Sequence, residues 1–183
     1  SRRRFAGRCM DCVSAYDACV RCTAAGERWP HPPRVRAAVT LAAVRRFSLD
    51  LSDALTVSKV ALNGRPPQGF SRTHGKLNIT VAAPLPAGAA LTINVRYGGN
   101  PRPIRSPWGD VGFEELTNGV LVAGQPNGAA SWFPCDDHPS SKASYRIQIS
   151  TDSPYRAIAN GELVSRKVKA GHTVWTYEQA EPT

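Results

Sequence analysis

Apolar and polar residues alternate with a period of two along most of this chain, the pattern of half-buried β-strands. Val35, Ala37, Val39 and Leu41 alternate with Arg36, Ala38 and Thr40, and Phe47, Leu49 and Leu51 with Ser48 and Asp50. Val57 to Leu62 predicts a third strand, stopped by Asn63-Gly64, a dipeptide suited to positive φ in a tight turn. Leu77, Ile79 and Val81 predict a fourth strand, and Leu91 to Tyr97, reached through Pro84-Leu-Pro-Ala-Gly88, a fifth. Strand-like segments resume at 119–123, 145–150, 155–159, 163–167 and 172–177, with Asn160-Gly161 and Ala170-Gly171 read as hairpin turns. Residues 98–118, with Pro101, Pro103 and Pro107, read as a long loop. No window carries a helical period. Roughly ten short strands at this spacing predict an all-β antiparallel sandwich or saddle. The apolar strand holding Trp175 and Tyr177 is expected to form an uncovered edge, which suggests that the chain stops inside its domain.

Composition changes the picture mainly at the front. The net charge is +9, and residues 1–36 hold eight arginines against Asp11, Asp17 and Glu27. The 183 residues thus divide into an irregular Arg/Cys-rich tail, 1–33, and a folded domain, 34–183. Cys9, Cys12, Cys19 and Cys22 form C-x2-C-x6-C-x2-C. Four thiolates could hold a tetrahedral zinc, which would make the tail a nucleic-acid-binding ribbon, but six intervening residues are fewer than such ribbons use. Incidental thiols are the alternative. The tail lacks interleaved aromatics and lysines, so no nucleic-acid partner is expected. No apolar run approaches a membrane span, and no signal-like segment follows Arg8, so no membrane partner is expected either.

Catalytic chemistry is sparse. His31, His74, His138 and His172 are far apart in the chain, and H-E-x-x-H, a Gly-x-Ser-x-Gly elbow and a phosphate-cradling glycine loop are all missing. Cys135 and His138 could be a nucleophile and its base, although neighbours three apart in a Pro-flanked loop rarely reach attack geometry. Asp136, Asp137 and His138 could ligate a metal, or the acids could cap backbone amides. A free-standing β-sandwich binding module is a further reading of such a chain.

The informative stretch runs Gly124-Gln-Pro-Asn-Gly-Ala-Ala-Ser-Trp-Phe-Pro-Cys-Asp-Asp-His-Pro139, followed by Ser140 to Ile149. It resembles the segment of the aminopeptidase N family of zinc metallopeptidases that reads, in outline, T-Q-x-E-x-x-x-A-R-x-x-F-P-C-x-D-E-P and then x-x-K-A-x-F-x-I-x-I. Phe133-Pro134-Cys135, Asp137, Pro139, Lys142-Ala143, Tyr145, Ile147 and Ile149 fall in register, as does Ile158-Ala-Asn-Gly161 further on. The resemblance extends over about residues 34–183. It departs at His138, where Glu is usual, and at Ser131-Trp132, where Arg is common.

The resemblance implies the amino-terminal β domain of an enzyme that removes N-terminal residues from peptides. In that family one zinc is held by two His and a Glu, and a second Glu activates water. All four would lie in a thermolysin-like catalytic domain beyond Thr183, so zinc would be the cofactor of the full-length enzyme and this segment would be inert alone. Gln125, twelve residues before Asp137, falls where the family places the Glu or Gln that grips the free amino group of the substrate. An amide oxygen can accept a hydrogen bond from an ammonium, but a solvent-exposed turn glutamine is the other reading of the residue itself. Cys135 is then expected to be buried packing, and Asp137 a structural acid bonded to backbone amides. An unpaired Cys135 with no export signal ahead of it suggests the cytoplasm.

Overall fold

Alternation becomes burial most plainly in two long strands at the centre of the molecule. In Lys76–Leu85, Leu77, Ile79 and Val81 are buried, and in Ala90–Gly99, Leu91, Ile93 and Val95. The structure is a computed structural model that describes residues 13–23, 34–39, 43–152, 155–169 and 171–183. Its strands are β1 Val13–Thr23, β2 Arg34–Val39, β3 Val44–Asp50, β4 Leu55–Leu62, β5 Gly69–Thr73, β6 Lys76–Leu85 and β7 Ala90–Gly99. They continue with β8 Ile104–Ser106, β9 Gly109–Leu116, β10 Gly119–Ala123, β11 Ser144–Asp152, β12 Glu162–Lys169 and β13 His172–Gln179. The only helical element among the described residues is a 3-10 turn, Ala129–Ser131. The all-β expectation holds.

The strands form a seven-stranded sheet, ordered β12-β13-β11-β1-β2-β7-β4, and two three-stranded sheets, β3-β6-β5 and β10-β9-β8. The described pairings are antiparallel except that of β1 with β11. Phe47, Leu49, Leu77, Ile79 and Val81 from the β3-β6-β5 sheet pack on Val60, Leu91, Ile93 and Val95 of the large sheet. That interleaving of two inner faces is a sandwich core. A second cluster lies beside it, where Ala130, Phe133 and Cys135 meet Ile147, Ala157, Trp175 and Tyr177. The loop between β10 and β11 therefore fills space that the small sheet leaves over β11 and β13.

Turn chemistry explains the hairpins. Asn63 and Gly64 adopt φ of 48° and 83°, and Leu62 and Arg65 exchange backbone hydrogen bonds of 2.7 and 2.9 Å. This is the two-residue loop expected from Asn-Gly. His74 and Gly75 adopt the same left-handed pair, 47° and 71°, between β5 and β6. Histidine is a rarer tenant of that region than asparagine, so this turn, and β5 with it, has little local signature.

Several expectations are corrected. The stretch 98–118 is no featureless loop, because β8 and β9 lie within it. Residues 155–159 form no strand: the carbonyl of Tyr155 accepts from Thr151 Oγ1 at 3.1 Å and that of Ala157 from Tyr177 Oη at 2.8 Å. Side chains thus take the places that ladder partners would occupy. Asn160-Gly161 is accordingly no hairpin tip; Gly161 is instead a crossing point, where a Cβ would stand 2.2 Å from the Glu178 carbonyl oxygen. The strand bearing Trp175 and Tyr177 is no edge, since β13 lies between β12 and β11. Past it, Thr183 exchanges backbone hydrogen bonds of 3.3 and 3.2 Å with Ala143.

Within residues 1–33, Val13–Thr23 forms β1, paired between β11 and β2. Its register against β2 shifts between Ala15 and Asp17. A bulge of this kind interrupts a period-two pattern, and the parallel partner β11 is too distant in sequence to leave a local signal. The rest of 1–33 lies outside the described residues, as do Cys9 and Cys12 and the side chains of Cys19 and Cys22, so the four-cysteine zinc reading falls there.

Candidate functional site: the loop from Gly124 to Pro139

Three glycines let this loop fold tightly against the root of the β9–β10 ribbon. A Cβ on Gly112 would stand 2.3 Å from Ser131 Oγ and 2.6 Å from the Gly128 oxygen, and one on Gly124 would stand 2.5 Å from the Asn127 oxygen. Gly128, at φ 136°, closes the contact from the other side. Backbone meets backbone at this point, which only glycine permits.

Asp137 holds the loop from within. Its carboxylate accepts the N–H of Gly128 on both oxygens, at 3.1 and 3.0 Å, that of Ala129 at 3.1 Å and that of Ala130 at 3.2 Å. The start of a 3-10 turn leaves just such N–H groups without internal partners. Ser131 completes the brace, donating to the Gly128 carbonyl at 2.6 Å and accepting the Phe113 N–H at 2.9 Å. Asp137 is thus the structural acid expected from the sequence.

A second set of bonds ties the loop to β3. Asp50 and Cys135 exchange backbone hydrogen bonds of 2.7 and 3.1 Å, and Ser52 donates its N–H to the Ala130 carbonyl at 2.8 Å. The Asp50 carboxylate accepts the Asp137 N–H at 3.2 Å and pairs with Lys76. Sequence reasoning passed over Asp50, which looks like an ordinary outward residue of an alternating strand. Phe133 is buried beneath the loop, edge-on to Trp132 at 4.8 Å and to Tyr145 at 6.5 Å.

Cys135 is buried and unpaired. Burial pushes its thiol well above the ordinary range, and the carboxylates of Asp137, Asp50 and Asp136 push the same way. Tyr145, beside it, is raised by burial and then by Cys135 and Asp137. Such a thiol is a poor nucleophile, and His138 is occupied elsewhere, its Nδ1 lying 2.7 Å from Ser140 Oγ and accepting the Ser140 N–H at 3.2 Å. The cysteine–histidine pair suggested by sequence is not assembled. Asp136 accepts from Ser141 Oγ at 2.6 Å, and no three His, Cys, Asp or Glu side chains gather to hold a metal ion among the described residues.

These shifts set a pH dependence. A thiol whose folded pKa lies above its unfolded value of about 8.5 contributes stability that is fully present below that value and is lost as pH rises above it. Tyr145 adds a loss of the same sign above about pH 10. The urea midpoint is therefore expected to fall from pH 8 to pH 10, and Cys135→Ala to flatten the decline. A midpoint equally steep in the variant would refute the assignment.

Gln125 stands at the exposed start of the loop, two residues past the end of β10 at Ala123, and is joined to Pro126 by a cis peptide. Gln125 and Asp137 lie in the same loop, the glutamine exposed and the acid half-buried against the N–H groups of Gly128, Ala129 and Ala130. Surface hollows lie at Lys59, Ala61, Asn94 and Arg96, and at Arg105, Ser106, Gly109 and Asp110. Neither is lined by Gln125.

Residues 49–183 match the family model described as the Peptidase M1 N-terminal domain. The chain belongs to that family. The M1 domain is 33% identical over 98 residues to endoplasmic reticulum aminopeptidase 1 of Rattus norvegicus, an alignment covering 50% of this chain and 10% of the relative. Its fold matches the crystal structure of an M1 zinc metallopeptidase from Deinococcus radiodurans with a TM-score of 0.80 at 23% identity, over 93% of this chain and 39% of that one. Legionella pneumophila aminopeptidase A, solved in complex with aspartic acid, matches with a TM-score of 0.75 at 18% identity, over 97% of this chain and 21% of that one. The chain thus spans well under half the length of these relatives. No described helix is long and apolar enough to cross a membrane.

Proposed function

We propose that this M1 domain forms one wall of the substrate cleft of a zinc aminopeptidase and that Gln125 accepts a hydrogen bond from the free amino group of the peptide. The observation that supports the reading is the place of an exposed Gln125 near the start of a loop whose later residues are fixed at Asp137, Asp50 and Ser131. A side chain that recognises a small charged group needs a rigid base, because an error of an ångström forfeits the bond. Family membership and two relatives named as aminopeptidases supply the substrate class. On the family resemblance we assign the metal and its chemistry to a separate thermolysin-like module, and the M1 domain alone is expected to cleave nothing. We place residues 34–183 in the domain proper, with β1 from the preceding segment adding a strand to its large sheet. A cytoplasmic location accords with the free thiol of Cys135.

The test is Gln125→Ala in the full-length gene product. A hydrogen bond to a charged group contributes about 1.5–3 kcal/mol, which converts to a loss of roughly 10- to 100-fold in kcat/KM. Substrates blocked at the amino end should lose nothing further. Gln125→Glu should retain activity, since a carboxylate also accepts from an ammonium. Wild-type kinetics in Gln125→Ala would remove the residue from the site.

A further inference from the structure

We infer that the outer face of the seven-stranded sheet, at its β2-β7-β4 end, binds an anion that carries clustered phosphate groups.

Burial separates the two faces at this end of the sheet. Val60 pairs with Val95, and both are buried in the core shared with the β3-β6-β5 sheet. Strand neighbours point to opposite sides, so the flanking pairs, Lys59 with Arg96 and Ala61 with Asn94, face away from that core. Lys59 and Arg96 are exposed, and Ala61 and Asn94 half-buried. Register carries the same face on to β2, where Arg34 holds the position opposite Asn94 and Arg36 the position opposite Thr92.

These three strands hold four cationic residues and no aspartate or glutamate. The first acidic position met across the sheet is Asp17 of β1, opposite Arg36. Like charges directly opposed destabilise an antiparallel pair. Among the described residues, neither Lys59 nor Arg96 has a side-chain ion pair or hydrogen bond to offset that repulsion. Further along the same face the situation differs, since Arg146 pairs with Glu178 at 3.0 Å. The uncompensated pair on β4 and β7 is the feature that calls for an anion.

The space beside it suits a phosphate. An open hollow of about 230 Å³ is lined by Lys59, Ala61, Asn94 and Arg96. A water takes about 30 Å³, so the hollow admits a group with several oxygens. The guanidinium can donate two parallel N–H bonds to one phosphate, the ammonium adds a point charge, and the Asn94 amide adds a further donor. A carboxylate has only two oxygens to answer them, whereas a phosphate monoester has three and carries about two negative charges. β2 lies about 10 Å from β4, so one phosphate in the hollow would leave Arg34 and Arg36 unanswered, and a ligand with two or more spans both. The outward positions of the three strands carry no aromatic residue on which a base could stack, which disfavours nucleic acid. A soluble polyphosphate and a phosphoinositide head group share the chemistry that remains.

The test titrates the full-length gene product with sodium tripolyphosphate by calorimetry, and co-sediments it with phosphatidylcholine vesicles containing phosphatidylinositol bisphosphate. The wild type should bind in at least one arm: tripolyphosphate alone identifies a soluble ligand, and vesicles alone a head group. K59E should weaken that binding roughly tenfold or more. It also turns a like-charged cross-strand pair into an oppositely charged one, so its melting temperature should hold or rise. K167E makes the same change of charge on β12, at the opposite edge of the sheet. That is roughly 29 Å away at strand spacing, against a screening length of about 10 Å in about 0.1 M salt, so K167E should bind as the wild type does. Failure to bind in both arms, or equal losses in K59E and K167E, would overturn the inference. So would a lowered melting temperature in K59E, because the two cations would then not oppose each other. Tighter binding of a single-stranded RNA oligomer than of either probe would assign the face to nucleic acid and overturn it as well.

Discussion

Asp137→Ala is expected to lower the stability of the domain by about 3 kcal/mol, since deleting it strands three N–H groups at the cost of an unmade buried hydrogen bond each. Those groups belong to Gly128, Ala129 and Ala130, and no backbone carbonyl is placed to replace the carboxylate, because the residues they follow are at the start of a single 3-10 turn. For a domain of this size the melting temperature should fall by roughly 6–12 °C. Asp137→Asn keeps one acceptor but aims an NH2 at backbone donors, so a loss of about 1–2 kcal/mol is expected. Urea denaturation of the full-length protein measures both. On the role proposed for Gln125, Asp137→Asn in the full-length protein should raise KM more than it lowers kcat, because the loop that carries Gln125 loosens. An unchanged urea midpoint in Asp137→Ala would show that the loop is fixed by something other than this carboxylate.

How much of this was legible beforehand depends on where each element's information resides. β6 and β7 were readable because alternation at Leu77, Ile79 and Val81, and at Leu91, Ile93 and Val95, maps directly onto burial. β9 was not. Its Gly109 and Gly112 dilute the pattern, and its position is fixed by a tertiary contact at Gly112 that no local window contains. β1 escaped notice because its register shifts at Ala15 and its parallel partner is β11, more than a hundred residues away. In the loop, the role of Asp137 was visible from chemistry alone, an acid in a turn beside small residues. Asp50 was invisible, since its partners Cys135 and Asp137 arrive from the far side of the chain. Gln125 is a different case: composition and spacing say nothing about it, and family resemblance alone singled it out. What the structure adds is that this exposed residue begins a segment fixed at several points.

Gly112→Ala should be as damaging as the loss of Asp137, for a steric reason. The residue sits at φ 98°, where a side chain is strained whatever the space, at a cost of about 1–3 kcal/mol. Its methyl would also stand 2.3 Å from Ser131 Oγ and 2.6 Å from the Gly128 oxygen, both of which belong to the braced loop. Relief requires the ribbon and the loop to separate, which breaks the Phe113–Ser131 hydrogen bond. A total loss of about 3–4 kcal/mol is expected. Gly119→Ala is the matched control. Gly119 has φ 135° but open space around its Cβ position, so it should lose only the strain, about 1–2 kcal/mol. Ser131→Ala should not rescue Gly112→Ala, because the Gly128 carbonyl still blocks the methyl and the Phe113 N–H is then left without its acceptor. Thermal melts of the three variants separate strain from collision. Equal losses in Gly112→Ala and Gly119→Ala would mean that the ribbon root is not packed against the loop.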